Sequence, residues 1–568
     1  MNPWQIEIGK LKLGAPWPVL LQSMTSTPTM DTQATVEQTI RIVDAGADIV
    51  RITAQNTKEA QNLAFIKKEL NKRSYYIPLV ADIHFNPKAA DIAATIVDKV
   101  RINPGNYYDK KSNKIEWTHQ EYQQDLQHIK QNLIGLVDIC QKHHTAIRVG
   151  VNHGSLSERI KRNYGDTVEG MVESAMEFIN IFKELNFENL VISLKASNVL
   201  IMVEANRLLT KRMKVENSLY PLHLGVTEAG DAEDGRIKSA LGIGTLLAEG
   251  IGDTIRVSLT EEPEIEIPIA KKIVSFAKKN SLKSPKSTQH FTRRKSYAVG
   301  AFGNEQAPVV IQSGRESVAK LIPDYFFDSS NNSWLSSNNK QIITESTVSD
   351  LITNKQNTKH SCFVKISKQD WDEELQRTLK NRRNTVIVLE KNEQTSSQEI
   401  QDIIQEIEHK QIACPLVLHI YNPIKDIEDL LISTTIQAGP ILMAAKLDGL
   451  WIDSPHHSTT DITFGILQAS RLRVSKTEYI ACPSCGRTLF NIQEKLQDIK
   501  KHTRQLKGLK IAVMGCVVNG PGEMADADYG YVGAGPGRVD IYKGHKIMRK
   551  GVLEKDATMA LLSIIQNK

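Results

Sequence analysis

The chain has 568 residues, of which 40% are hydrophobic and 24% charged, the ordinary balance of a globular protein. This length exceeds what one hydrophobic core supports and predicts two to four domains. The net charge of +6 is small for the length and gives no argument for nucleic acid as a partner. The first residues carry no basic-then-apolar signal, and no apolar run approaches the roughly 20 residues that span a bilayer. We therefore expect a cytoplasmic protein without a membrane partner.

Short β-branched segments alternate with stretches of helical period through the first half of the chain. Eight strands in this alternation predict an N-terminal (β/α)8 TIM barrel over residues 1–280, with a doubly wound sheet as the alternative. The predicted strands are Pro18–Thr25, Ala47–Thr53, Ile77–Phe85, Lys99–Asn106, Ala146–Asn152, Asn189–Ser197, Pro221–Ala229 and Thr254–Leu259.

The rest of the chain divides by composition. Ser281–Arg294 is rich in Lys, Ser and Pro and predicts a linker. Residues 285–475 predict a middle α/β insert domain, whose form is left open to include a barrel, and Ser329–Asn339 within it is typical of a loose surface loop. Residues 476–568 hold three of the six cysteines and two glycine-rich turns, and predict a small α+β domain.

Cationic residues occur near the carboxyl ends of five predicted barrel strands. They share even spacing with other polar residues, which places them on the inner face, and barrel enzymes build their sites at this end. Each alone could be a salt-bridged barrel residue. Together they repel one another unless an anion is bound, and a diphosphate suits arginine forks. The five are Arg51, Arg101, Arg148, Lys195 and Arg256.

Three further features lie near the same strand ends. Glu228 is a carboxylate beside the cations that could serve as an acid or base, or balance charge. Asp82 and His84 could position substrate hydroxyl groups or make structural hydrogen bonds. The weak motif Gly242-Ile243-Gly244-Thr245 could offer helix N-terminal amides to a phosphate.

The C-terminal cysteines form the most specific motif. Cys482-Pro483-Ser484-Cys485-Gly486-Arg487-Thr488 is followed by Cys516 in a glycine-rich turn, with Glu523 just beyond. A structural zinc site would need a fourth soft or imidazole ligand, which the cysteine loops lack. Three thiolates instead fit a catalytic [4Fe–4S] cluster with one exchangeable iron, for which Glu523 is the nearest carboxylate. Cys140, Cys362 and Cys414 are expected to be small buried residues.

These motifs resemble those of the 4-hydroxy-3-methylbut-2-en-1-yl diphosphate synthase family of the non-mevalonate isoprenoid pathway. The matching stretches are Cys482–Thr488, Gly515–Glu523, Ala81–Phe85, Val100–Asn106, Ile147–Asn152 and Gly250–Ser258. The middle insert is similar to that of the three-domain form of the family.

The resemblance implies a [4Fe–4S] enzyme that opens and dehydrates 2-C-methyl-D-erythritol 2,4-cyclodiphosphate reductively. It implies a ferredoxin or flavodoxin as electron donor. Cys482, Cys485, Cys516 and Glu523 would hold the cluster, and Glu523 and Glu228 would take part in catalysis. The residues implied to bind the substrate are Arg51, His84, Arg101, Arg148, Asn152, Lys195, Arg256 and Ser258.

Two alternatives stay open at this stage. A siroheme-type sulfite or nitrite reductase would need a fourth cysteine, and a zinc-knuckle RNA-binding protein would need more aromatic residues than the 6% present. Whether the barrel and the cluster domain meet within one chain or across a homodimer is also left open.

Overall fold

The computed structural model describes residues 5–107, 117–282, 293–314, 319–353, 360–392, 394–444, 447–456, 459–517, 520–524 and 526–566. The chain forms two compact units, the first made of Met1–Leu246, Ile251–Val274 and Lys476–Lys568, and the second of Leu247–Gly250 and Ser275–Ser475. The division into domains at 1–280, 285–475 and 476–568 stays a prediction, and most of the predicted linker lies outside the described residues. No helix in the described part is long and apolar enough to cross a membrane.

The first unit opens with an antiparallel hairpin of β1 (Ile6–Ile8) and β2 (Leu11–Leu13). Its apolar side chains pack against Leu20, Ile49 and Val80 and close the amino-terminal end of a barrel. The barrel strands are β3 (Leu20–Met24), β4 (Ile49–Thr53), β5 (Leu79–Asp82), β6 (Lys99–Ile102), β7 (Ala146–Asn152), β8 (Leu190–Lys195), β9 (His223–Leu224) and β10 (Thr254–Ile255).

These eight strands are parallel, in the order β8-β7-β6-β5-β4-β3-β10-β9. A bridge between Ile192 in β8 and Leu222 just before β9 joins the two ends. The predicted TIM barrel is confirmed, and the doubly wound alternative is wrong because such a sheet keeps two open edges.

The barrel helices mostly begin on polar caps that follow the strand ends. The side chains of Asp31, Asn56, Asn86, Thr118 and Thr167 each accept a hydrogen bond from an amide in the first helical turn. The helices are α1 (Thr32–Asp44), α2 (Thr57–Lys72), α3 (Pro87–Ala94), α4 (Pro104–Tyr107), α5 (His119–His143), α6 (Glu158–Tyr164), α7 (Val168–Glu184), α8 (Val199–Val215), α9 (Ala232–Ala248) and α10 (Glu266–Lys279), with a 3-10 turn at Pro263–Ile265.

The second unit is a closed eight-stranded barrel. Its strands are β11 (Val309–Ser313), β12 (Tyr325–Asp328), β13 (Ser333–Ser336), β14 (Ile342–Glu345), β15 (Cys362–Ile366), β16 (Thr385–Lys391), β17 (Leu416–Tyr421) and β18 (Gly449–Asp453). All neighbours are parallel except β13, which is antiparallel to both of its own. The helices are α11 (Val348–Thr353), α12 (Glu373–Asn381), α13 (Ser397–His409), α14 (Ile427–Leu442) and α15 (Thr459–Ala469).

Stacked aromatic rings fill the interior of this second barrel. The rings of Trp334 and Phe363 lie 4.0 Å apart between centroids, and Phe302 also stacks on Trp334 at 5.3 Å. The prediction of a loose surface loop at Ser329–Asn339 is wrong for Ser333–Ser336, which form β13, whereas the residues on either side are exposed turns. The buried indole of Trp334 holds β13 in the wall of the barrel, in spite of the Ser and Asn residues around it.

The C-terminal segment of the first unit forms a mixed sheet in the order β19-β20-β21-β22-β23. The elements are β19 (Glu478–Ala481), α16 (Ile492–Thr503), β20 (Lys510–Met514), α17 (Gly520–Glu523), β21 (Tyr529–Gly535), β22 (Arg538–Lys543), β23 (Lys546–Leu553) and α18 (Glu554–Gln566). Because β19 and β20 are parallel, their carboxyl ends lie at the same edge, and the loops that begin there carry Cys482 and Cys516.

Candidate active site

A pocket lies between the carboxyl end of the TIM barrel and the cysteine loops, all within the first unit. It brings together every predicted site residue except Glu523, whose side chain lies outside the described part of the structure. The predicted residues that line it are Arg51, His84, Arg101, Arg148, Asn152, Lys195, Glu228, Arg256, Ser258, Cys482, Cys485 and Cys516.

The five cations at the barrel mouth outnumber the carboxylates that neutralise them. Arg101 pairs with Asp82 at 3.3 Å and Arg256 with Glu266 at 3.2 Å. Arg148 is buried, and its Nε and Nη1 have no hydrogen-bond partner among the described residues. Such donors are costly to bury unless a ligand accepts from them, and a multiply charged anion is the natural acceptor.

The same crowding shifts the proton affinities of these groups. Burial, followed by repulsion from Arg256 and Arg101, lowers the pKa of Arg51 to about 10 although Asp82 acts to raise it. Burial and neighbouring guanidinium groups lower the pKa values of Arg148 and Lys195 well below their ordinary values. A bound anion would reverse this effect, because it favours the charged forms.

Asp82 and His84 form a compact network with two arginines. His84 Nε2 lies 2.7 Å from Arg101 Nη1, and Asp82 Oδ2 lies 3.4 Å from Arg487 Nη2. Burial acts to raise the pKa of Asp82, but Arg51, His84 and Arg101 together lower it well below the ordinary value. Burial and then Arg101 lower the pKa of His84 to about 3, so its imidazole is neutral and accepts from Arg101.

This neutral histidine predicts a pH dependence of stability. The folded pKa of about 3 lies below the unfolded value near 6.5, so the unfolded chain binds more protons between these values. The free energy of unfolding should therefore fall as the pH drops from about 6.5. Replacing His84 by asparagine should flatten this dependence, which thermal melting at pH 7.5 and 5.5 would measure. An equal fall in melting temperature for both proteins would contradict the assignment.

Arg487 lines the pocket, although no role was predicted for it from the sequence. It lies in the cysteine motif, yet its guanidinium reaches across to Asp82 of the barrel. The one feature of the sequence that pointed to Arg487 was its position between Cys485 and Thr488. The pairing with Asp82 depends on the meeting of two distant chain segments, which one sequence does not show.

The structure corrects one predicted phosphate contact. Gly242–Thr245 lies inside α9, where the amides belong to the helix, so the predicted helix N-terminus at that motif is wrong.

Glu228 is buried and has a φ of +48°, a left-handed conformation that is uncommon for a residue other than glycine. Backbone strain of this kind is concentrated at functional sites.

The cysteine loops are shaped by short contacts. The Gly515 amide donates to Cys482 Sγ at 3.2 Å, and the Cys485 amide donates to Thr488 Oγ1 at 2.9 Å. A Cβ at Gly515 would come within 3.0 Å of Thr488 and Ile492, so the close approach of the loops requires glycine there. Burial raises the pKa of the Cys482 thiol well above its ordinary value, and a bound metal centre would favour the thiolate.

The arrangement of the three sulfurs fits an inorganic cluster. They enter one pocket from the loops after β19 and β20. Thiolates are the ligands that an iron–sulfur cluster takes, so this donor set suits such a cluster.

The C-terminal segment of the same chain covers the barrel mouth. Lys238 pairs with Glu478 at 3.1 Å, Lys476 with Asp234 at 2.6 Å, and Lys500 with Asp231. Gly154, with a φ of +81°, meets Gly522 so closely that a Cβ at Gly154 would overlap the Gly522 carbonyl. Barrel residues and cysteine loops of this chain thus line one pocket.

Two family models match the chain. The GcpE TIM-barrel domain matches residues 4–271, and the GcpE protein C-terminal domain matches residues 478–567. A curated relative from Porphyromonas gingivalis, named 4-hydroxy-3-methylbut-2-en-1-yl diphosphate synthase (flavodoxin), is 44% identical over 99% of this chain and 96% of its own length. The chain belongs to this synthase family.

Relatives from Bacteroides thetaiotaomicron and Leptospira interrogans carry the same name. They are 44% and 39% identical, each over 99% of this chain and 97% and 96% of their own lengths. These alignments therefore extend through the middle segment, which neither family model matches. The matches confirm the resemblance, and nothing in them supports the siroheme reductase or the RNA-binding protein.

Proposed function

We propose that the protein opens the ring of 2-C-methyl-D-erythritol 2,4-cyclodiphosphate and releases 4-hydroxy-3-methylbut-2-enyl diphosphate. The reaction takes up two electrons and two protons and releases one water. Membership of the synthase family supports this activity. The observation that carries it is one pocket in which an excess of buried cations faces three cysteines.

The cations at the barrel mouth would hold the diphosphate. Arg148 offers two donor atoms that have no partner among the described residues, and Arg51, Lys195 and Arg256 line the same pocket. Arg101 and His84 are already fixed by Asp82, so they form a rigid edge that orients the substrate. Asn152 and Ser258 would donate hydrogen bonds at the rim of this group. Because the donors are placed before binding, little reorganisation is needed.

We propose that Cys482, Cys485, Cys516 and Glu523 hold a [4Fe–4S] cluster in this pocket. When bound, the cluster supplies electrons one at a time to the carbon–oxygen end of the substrate. Burial acts to lower the pKa of Arg487, but Cys485 and Asp82 together raise it above the ordinary value. Arg487 lies beside the cysteines and would offset their negative charge. The closed barrel mouth would exclude water and oxygen.

Glu228 would carry a proton in this reaction. Its carboxyl group lines the pocket between the cations and the cysteines, on a strained backbone that fixes its direction. We assign it the proton that leaves with the released water. Replacing Glu228 by glutamine keeps the shape and should lower kcat far more than it raises KM for the substrate.

Glu523 gives a second prediction. A carboxylate is a weaker ligand than a thiolate, so Glu523→Ala should retain most of the iron while turnover falls about a hundredfold or more. Iron analysis and steady-state assays on the same anaerobic preparation would measure both. Full activity in this variant would remove Glu523 from the mechanism.

The activity itself is tested by anaerobic turnover. The purified protein, the cyclic diphosphate and reduced flavodoxin should give the allylic diphosphate, detected by mass spectrometry. The same mixture without a reductant should give none. The proposal would be refuted if protein that carries iron and sulfide formed no product with reduced flavodoxin and none with reduced methyl viologen.

A further inference from the structure

The hairpin of β22 and β23 carries an unusual exposed surface. All five residues from Lys546 to Lys550 are exposed, although they lie in a β-strand. Ile547, Met548 and Leu553 each expose about two fifths of their surface. A strand that shows apolar side chains to solvent in this way marks an interaction surface.

The charge of the hairpin is one-sided. Between Arg538 and Lys550 it carries Arg538, Lys543, Lys546, Arg549 and Lys550 against the one carboxylate of Asp540. Asp540 is buried and accepts a hydrogen bond from the Gly551 amide at 2.7 Å. Basic side chains alone can protect an edge strand from aggregation. That function does not explain why apolar side chains are exposed on the same strand.

The hairpin also lies close to the cysteine loops. Gly533 of β21 packs against the carbonyl of Gly515, next to Cys516. Gly533 pairs with Val539 of β22, and Val539 pairs with Val552 of β23. Two strand spacings of about 4.8 Å, roughly 10 Å in all, therefore separate the contact with Gly515 from Val552 of the outer strand. Lys546 pairs with Lys543, which pairs with Tyr529, so Lys546 lies four residues further along the sheet than this contact.

We propose that the β22–β23 hairpin is the docking surface for a small acidic electron carrier of the flavodoxin type. This inference rests on the proposed function, which requires single electrons from a protein donor. A basic surface attracts an acidic carrier and raises the rate of encounter. The exposed apolar residues of β23 would add contact area to a short-lived complex, and electron-transfer interfaces are small.

The test compares two charge-reversed holoenzymes. Lys546→Glu/Lys550→Glu changes the hairpin, and Lys211→Glu/Lys214→Glu changes two exposed lysines of α8 on the outside of the barrel. The hairpin variant should raise the KM for reduced flavodoxin and the Kd for labelled flavodoxin about tenfold or more at low salt. The difference should shrink at about 1 M salt, where the Debye length is near 3 Å. The barrel variant should change neither value.

Turnover with reduced methyl viologen separates this proposal from the proposed function. It should be the same in the wild type and the hairpin variant, because a small reductant needs no docking surface. Unchanged flavodoxin binding in the hairpin variant, or an equal loss in the barrel variant, would overturn the proposal. So would a hairpin variant that loses only self-association in sedimentation, since β23 would then join two copies of this chain. If turnover failed with both reductants, the proposed function would fall, while the binding measurement would still decide the docking surface.

Discussion

Replacing Cys516 by serine is expected to remove most of the iron and to abolish turnover. The wild-type protein, purified without oxygen, should hold about four irons and an equal amount of sulfide per chain. Cys516 follows β20 and lines the pocket with Cys482 and Cys485, so its loss leaves two thiolates from one loop. We expect at least a thousandfold fall in kcat and the loss of the brown colour, measured by iron and sulfide analysis and by absorption.

The matched control is Cys140→Ser. Cys140 is buried in α5, on the outer layer of the barrel, and does not line the pocket. This variant should keep its iron even if it loses some stability from the buried hydroxyl. Zinc in place of iron and sulfide in the wild-type protein would end the cluster assignment.

Replacing Arg148 by methionine is expected to separate activity from stability. The change removes a buried charge that repels Arg51 and Arg101, at a similar side-chain length. Without ligand, the free energy of unfolding should rise, because a buried charge is costly and even buried ion pairs replaced by packed apolar groups often stabilise the fold by about 1–4 kcal/mol. The kcat/KM should nevertheless fall about a thousandfold, or about 4 kcal/mol, since the donors to the diphosphate are lost.

Two further variants serve as controls for this experiment. Arg148→Lys keeps the charge but not the two-pronged geometry, and should fall between the wild type and the methionine variant. Arg162→Met on the exposed side of α6 should leave kcat/KM within about twofold, as expected for a surface change. A fall in both melting temperature and activity for Arg148→Met would mean that Arg148 supports the fold rather than the ligand.

The TIM barrel could be predicted because its strands carry a repeated signal. The polar residues Asp82, Arg101 and Arg148 lie at one level on three successive strands, so the strand pattern gives both the fold and the position of the site. The cysteine motif could also be predicted, because its residues lie close together in the sequence.

The misses have a different cause. β13 was missed because one buried tryptophan, Trp334, outweighs a run of Ser and Asn. The Gly242–Thr245 motif was misplaced because two glycines are tolerated inside α9, where Met202 and Val226 pack against Gly242. The role of Arg487 depends on Asp82, more than 400 residues earlier in the chain.

The seam between the barrel and the cysteine segment has a consequence for handling the protein. It is fastened by Lys–Asp and Lys–Glu pairs and by the backbone contact of Gly154 with Gly522. Concentrated salt screens the more exposed of these pairs, so the cysteine segment would separate from the barrel mouth more often. Dioxygen would then reach the proposed cluster sooner, so the lifetime of the enzyme in air should shorten as the ionic strength of the buffer rises.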